Sequence, residues 1–85
     1  MQIATAFGAA LKKIRRSRDL SQKQLALDSG LDRTFISLLE RGKRQPTLGT
    51  VFQISKALDI PAVDMIRHTE KAMKRPGRRN VPLRR

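Results

Sequence analysis

The chain has 85 residues, of which 39% are hydrophobic and 31% are charged, so it holds enough apolar material for one small domain. Cysteine is absent and histidine occurs once, at His68, which excludes disulfides and cysteine–zinc sites and leaves little for a histidine-based metal centre or catalytic triad. The net charge is +12, because 19 Lys and Arg residues stand against seven acidic ones, and this excess indicates a polyanionic partner.

Other classes of protein are disfavoured by what the chain lacks. No apolar run approaches the roughly 20 residues that span a bilayer, and residues 1–13 lack the charged-then-apolar order of a secretory signal. We therefore expect a cytoplasmic protein that does not act at a membrane, is not an enzyme and needs no metal or cofactor. Duplex DNA and RNA remain as polyanionic partners.

Apolar residues at helical spacing predict a first helix that ends near Arg18, with an apolar stripe of Phe7, Ala10, Leu11 and Ile14. Ser21 is the expected N-cap of a second helix, and Gln24 stands three residues later in the capping-box position. Gly30 follows this helix at the position where a left-handed residue commonly ends one.

A third helix is predicted from Arg33 to about Arg41, with Asp32 as its N-cap and Gly42 after its end. The stretch that follows, residues 43–46, is predicted to be a loop.

Two further helices complete the pattern. Thr47 caps the fourth helix, whose apolar residues are Leu48, Val51, Phe52, Ile54, Ala57 and Leu58. Pro61 suits the first position of the fifth, whose apolar residues are Ala62, Met65 and Ile66. Since no segment alternates apolar and polar residues as a half-buried strand does, we predict an all-α fold of five short helices.

The charge is concentrated at the C-terminal end. Residues 67–85 hold eight Lys and Arg residues against Glu70 alone, with almost no apolar content after Met73. We therefore expect one domain at 1–68 and a basic, flexible tail at 69–85. The tail is either a phosphate-binding arm or a solubilising extension, and both interpretations stay open. Continuation of the fifth helix through Met73, as a segment that binds a partner, is a further possibility.

Residues 21–41 form a helix, a glycine-containing turn and a second helix, an arrangement that DNA-binding proteins insert into the major groove. One side of this unit is apolar and sets the angle between the helices, through Leu25, Ala26, Leu31, Ile36 and Leu39. The opposite side of the third helix carries Arg33, Thr34, Ser37 and Leu38. A polar face that merely meets solvent is the plain alternative.

Four linked segments resemble those of the Cro/CI-type (XRE) helix-turn-helix regulators of phages, plasmids and bacterial operons. They are SQxxLA at 21–26, GLDRTFIS at 30–37, ERGKRxPT at 40–47 and AL at 57–58. The resemblance covers residues 7–66 and implies a five-helix, lambda-repressor-like domain with the helix-turn-helix at helices two and three. Lys23 departs from the family pattern, which commonly has an acidic residue there.

The resemblance also implies roles for individual side chains. Base contacts are implied for Gln22, Arg33, Thr34, Ser37 and Leu38, of which Arg33 suits a bidentate contact with guanine. Phosphate contacts are implied for Ser21, Gln22, Lys43, Arg44, Thr47 and Thr50. A structural ion pair is implied between Arg15 on the first helix and Glu40 on the third.

Together these roles imply a sequence-specific, double-stranded DNA-binding transcription regulator on the bacterial nucleoid, and we expect a repressor. It is expected to bind an inverted repeat as a homodimer, with recognition helices about 34 Å apart. Candidate dimer contacts are Ile60, Val63 and Ile66.

The alternative is an antitoxin-like or adaptor module that mainly binds a protein partner through helix five or the basic tail. RNA binding is less favoured, because Tyr and Trp are absent and the three phenylalanines are expected to face the core.

Overall fold

The computed structural model describes residues 2–74, and most of them are helical. Five helices follow one another along the chain: α1 at Ile3–Ser17, α2 at Gln22–Ser29, α3 at Arg33–Glu40, α4 at Leu48–Ala57 and α5 at Ala62–Met73. No strand occurs between residues 2 and 74. The predicted all-α fold of five helices is confirmed, whereas the predictions for residues 75–85 of the basic tail lie outside the described residues.

Side-chain caps form at two of the three predicted cap positions. The Ser21 hydroxyl accepts a hydrogen bond from the Gln24 backbone N–H at 3.0 Å, and the Thr47 hydroxyl accepts one from the Thr50 N–H at 3.1 Å. The Gln24 side chain bonds within its own helix instead of returning to Ser21, so the capping box is half formed. Asp32 occupies the N-cap of α3, but its side chain makes no capping bond.

Helix α5 begins one residue later than predicted and has the longer of the two lengths that the sequence left open. Pro61 is its N-cap, in an extended conformation, and Ala62 is the first helical residue. At the other end the helix continues to Met73, past the predicted domain boundary at residue 68. Thr69 is buried there, and its hydroxyl donates to the Met65 carbonyl at 2.9 Å, so the last turns belong to the packed domain.

The hydrophobic core is built from side chains of all five helices. Its fully buried side chains include Phe7, Leu11, Leu25, Ile36, Leu39, Ile54, Leu58 and Met65. Helix α1 packs against both α3 and α5, while α2 packs against α3 and α4. Burial of each such side chain contributes about 1.5–3 kcal/mol, which makes this core the main source of stability.

Several apolar side chains of α4 and α5 lie at the surface instead. Phe52 is 58% exposed and Leu48 is 69% exposed, because the buried stripe of α4 runs through Val51, Ile54 and Leu58. The expectation that all three phenylalanines face the core is therefore wrong for Phe52. The exposed Phe52 ring also removes one of the two reasons given against RNA binding, namely that every phenylalanine faces the core.

Gly8 allows α1 and α3 to approach closely. A Cβ at this position would lie 2.7 Å from the Glu40 carbonyl oxygen and closer still to that of Leu39. Both are backbone atoms, so the two helices would have to separate. We expect Gly8→Ala to lower the free energy of unfolding by about 1–3 kcal/mol, measured by thermal or urea unfolding followed by circular dichroism.

Gly49 on α4 provides the matched control. Its added Cβ would meet nothing nearer than the Thr47 Oγ1 at 3.7 Å, so this position has room for a methyl group. Gly49→Ala should raise stability by about 0.5–1 kcal/mol, because alanine has the better helix propensity. Equal stability of Gly8→Ala and the wild type would contradict the tight α1–α3 contact.

Candidate nucleic-acid interface

Helices α2 and α3 form a helix-turn-helix whose turn begins at Gly30. This residue has a φ of 75° and a ψ of 20°, and its N–H donates to the Ala26 carbonyl at 2.9 Å. Glycine adopts this left-handed conformation at little cost, which ends α2 and redirects the chain into α3. Leu25 of α2 and Leu39 of α3 are fully buried and hold the two helices at a fixed angle.

The outer face of α3 is accessible along its length. Arg33 and Thr34 are exposed, and Ser37 and Leu38 are half-buried, whereas Ile36 is fully buried. Residues spaced by one, four and five positions share one side of a helix. Four of the predicted base-contacting residues therefore lie on one uncovered surface.

A shallow cleft brings the start of α2 beside the start of α3. It is lined by Arg15, Ser21, Gln22, Lys23 and Arg33. The structure thus places Gln22, the fifth predicted base-contacting residue, at the same cleft as Arg33. Lys23 also lines this cleft, although no role was predicted for it. Its positive charge in the first turn of α2 is the sequence signal that could have identified it.

Beneath the cleft, three side chains form a hydrogen-bonded network. Arg15 donates through Nε to the Glu40 Oε2 at 2.5 Å and through Nη2 to the Oε1 at 3.0 Å. Its Nη1 donates to the Leu20 carbonyl at 2.7 Å, and the Gln22 Nε2 donates to the Glu40 Oε1 at 3.0 Å. The side chains of Arg15 and Glu40 are only 9% and 2% exposed. The structure therefore contains the ion pair that the resemblance implied.

The residues implied for phosphate contact lie on three segments around α3. Four of them are exposed, and these are Ser21, Lys43, Arg44 and Thr47. The Arg44 guanidinium lies over the Phe35 ring, 5.7 Å from its centroid, and this cation–π contact holds it beside α3. Thr50 differs, because it is buried and its hydroxyl is hydrogen-bonded to that of Thr47 at 2.9 Å. Its side chain supports the α4 cap and does not face solvent.

The candidate dimer residues lie at the start of α5 and in the turn before it. Val63 is 58% exposed and Ile66 is 46% exposed, while Ile60 is half-buried against the core. On α4, which packs against α5, the side chains of Leu48 and Phe52 are also exposed. Both residues were predicted as part of the apolar set of the fourth helix, and their exposure was not expected.

Over residues 2–74, no three His, Asp or Glu side chains come together in a way that would hold a metal ion. Within the same range, no helix combines the length and the apolar character needed to cross a membrane.

Comparison with known proteins identifies the family. A helix-turn-helix family model matches residues 11–65. The control protein C.BamHI of Bacillus amyloliquefaciens is 40% identical over 68 residues, which cover 79% of this chain and 84% of the relative.

Two solved structures have the same fold. The restriction-modification controller protein C.AhdI of Aeromonas hydrophila matches with a TM-score of 0.71 and 37% identity, covering 73% of this chain and 94% of that one. The C.Esp1396I controller, solved as a tetramer in complex with its natural 35 base-pair operator, matches with a TM-score of 0.78 and 32% identity, covering 85% of this chain and 95% of that one. The chain belongs to the XRE-type helix-turn-helix family of transcriptional regulators.

Proposed function

We propose that this protein is a sequence-specific transcription regulator that inserts α3 into the major groove of double-stranded DNA. The observation that carries the proposal is the division of α3 into a buried apolar side and an accessible side that begins with Arg33 and Thr34. The major groove, about 12 Å wide, admits an α-helix. C.Esp1396I has this fold and was solved on its operator, which supports the same use here.

Direct base contacts follow from the chemistry of the exposed face. The Arg33 guanidinium suits the O6 and N7 acceptors of guanine, and Thr34 offers a methyl group to thymine. Ser37 donates or accepts a hydrogen bond, and Leu38 offers an apolar surface to a thymine methyl group. Gln22 approaches the same groove from the start of α2.

Phosphate contacts would flank this face on both sides. We assign them to the half-buried Gln22 and to exposed polar and basic residues, which are Ser21, Lys23, Lys43, Arg44 and Thr47. The first turn of α4 adds backbone N–H groups without helical partners, which favour an anion. Thr50 takes an indirect part by supporting Thr47. Binding of this kind weakens with salt. The logarithm of the binding constant falls linearly with the logarithm of the salt concentration, with a slope of about −0.9 for each phosphate neutralised.

A homodimer would place two copies of α3 about 34 Å apart on an inverted repeat. We assign its contact to the apolar surface of Ile60, Val63 and Ile66, with Leu48 and Phe52 of α4 extending it. The support is the exposure of the other four side chains, all but the half-buried Ile60, in the single chain.

The joint substitution Val63→Ser and Ile66→Ser should weaken dimerisation at least about 10-fold, because apolar area is no longer buried between protomers. Sedimentation equilibrium measures the dimer, and affinity for a two-half-site duplex should fall with it. Ile3→Ser is the control, since Ile3 is 52% exposed on α1. A fully dimeric double variant would refute the assigned surface. A monomeric wild type that captures a different protein through α5 would favour the adaptor alternative.

We propose repression as the direction of regulation, because occupancy of a promoter requires only tight binding. Activation needs a surface that contacts the polymerase, and the acidic candidates in the sequence were Asp28, Asp32 and Glu40. The Glu40 side chain is 2% exposed and paired with Arg15, so it cannot contact a polymerase. Only Asp28 and Asp32 remain of these three candidates. Such a regulator acts on the nucleoid in the cytoplasm, without catalysis or a cofactor.

Selection of bound sequences from a pool of random duplex DNA tests the proposed function. The full chain should enrich an inverted repeat whose half-sites lie one helical turn apart. Repeating the selection with residues 1–74 measures the contribution of the basic tail without removing the buried turns of α5. Failure to enrich any motif would overturn the proposal of sequence-specific binding.

A further inference from the structure

Gln22 is the one predicted base-contacting residue whose side-chain orientation is determined by another side chain in the described part of the chain. Its Nε2 donates to the Glu40 Oε1 at 3.0 Å, across 18 positions of sequence. Gln22 is half-buried and lines the cleft that also contains Arg33. The anchoring carboxylate lies below it, 2% exposed, at the last residue of α3.

The charge of Glu40 decides which way the Gln22 amide faces. An ionised carboxylate only accepts hydrogen bonds, so it holds the NH2 group and repels the amide oxygen. Arg15 holds the carboxylate itself, with hydrogen bonds to both of its oxygens. The carbonyl oxygen and the second N–H of the amide therefore remain for a ligand in the cleft.

We propose that Glu40 is a positioning residue for DNA binding, which acts by fixing the amide of Gln22 before DNA arrives. The Arg15–Glu40 pair then serves recognition as well as folding. This inference rests on the proposed function. An amide held in its bound orientation loses less side-chain freedom on binding, and this raises affinity.

A double-mutant cycle tests the proposal on the duplex recovered by selection. The joint substitution Arg15→Met and Glu40→Leu removes one charge of each sign and replaces the buried pair with apolar side chains, a change that proteins often tolerate. In the wild type, Gln22→Ala should weaken binding about 10-fold, the value of one hydrogen bond at the upper end of its range. The pair replacement should weaken binding by a similar factor.

The decisive quantity is the cost of Gln22→Ala within the pair-replaced protein. We expect it to fall to less than about 2-fold, because the amide has already lost its anchor. Gln24→Ala is the matched control, since Gln24 lies on the exposed side of the same helix and bonds to Asp28 at 2.8 Å. It should leave affinity unchanged in both backgrounds. An undiminished 10-fold cost of Gln22→Ala would overturn the positioning role while leaving the proposed function intact. Failure of the selection itself would count against the proposed function.

A second measurement requires no substitution at residues 15 or 40. In the free wild-type protein, NMR relaxation should show that the Gln22 side-chain amide is as rigid as the α2 backbone. The Gln45 amide, on an exposed loop residue, supplies the mobile reference. Averaging of the Gln22 amide like that of Gln45 would refute the proposal even if the pair-replaced protein failed to fold.

Discussion

Glu40→Leu is expected to lower the free energy of unfolding by about 3–5 kcal/mol, because it leaves the Arg15 guanidinium buried without a countercharge. The Arg15 side chain is 9% exposed, so water does not replace the lost partner. For a domain of this size the change corresponds to a fall in Tm of at least about 12 °C, measured by circular dichroism. Small domains have stabilities at the lower end of about 5–15 kcal/mol, so this is a large part of the total.

Two companion proteins separate charge burial from simple loss of packing. In the Arg15→Met and Glu40→Leu protein, most of the lost stability should return, because no unpaired charge is left. Asp64 pairs at the surface with Arg67 at 2.9 Å, and their side chains are 39% and 62% exposed, respectively. Asp64→Asn removes this pair and should lower the free energy of unfolding by less than about 1 kcal/mol. If the single and joint substitutions at 15 and 40 were equally destabilising, an uncompensated charge would not be the cause.

Arg33→Ala is expected to reduce discrimination between the selected duplex and a scrambled one by about 1–3 kcal/mol, or roughly 5-fold to 150-fold. Arg33 is exposed at the first residue of α3, where its guanidinium reaches a base edge in the proposed geometry. Fluorescence anisotropy with both duplexes over a range of salt concentrations measures the ratio. Binding to the scrambled duplex should persist, since it depends on phosphate contacts.

Lys43→Ala removes the same sign of charge from the loop after α3 and is the matched comparison. It should weaken binding to both duplexes alike and reduce the salt slope by about 1. If Arg33→Ala, like Lys43→Ala, lowered affinity equally for the selected and the scrambled duplex, α3 would not distinguish bases.

The helices were predictable because local signals coincided. Ser21 and Thr47 each satisfy the backbone N–H three residues later, and the left-handed Gly30 ends α2, so these boundaries need no tertiary information. The far end of α5 stayed open in the sequence, between an end near Ile66 and continuation through Met73. It depends on the burial of Thr69, whose hydroxyl is satisfied by the Met65 carbonyl, and a polar residue near a basic tail gives no sign of that.

The candidate site was predictable to a smaller extent. Periodicity and the family resemblance brought Arg33 and Thr34 to one exposed face, but they did not show that Phe52 is also exposed, since it adjoins the buried stripe of α4. The bond between Gln22 and Glu40 joins residues that are 18 positions apart. Such a contact depends on how α2 and α3 pack, which a pattern of residue types does not specify.

Two-dimensional NMR titration of the protein with its selected duplex tests most directly whether α3 is the DNA-binding surface. We expect the largest amide shift changes at Gln22, along residues 33–38 and in the loop at 43–47. Amides on the outer side of α1 should change little. Changes concentrated on α1 and the end of α5, with residues 33–38 unaffected, would contradict this expectation.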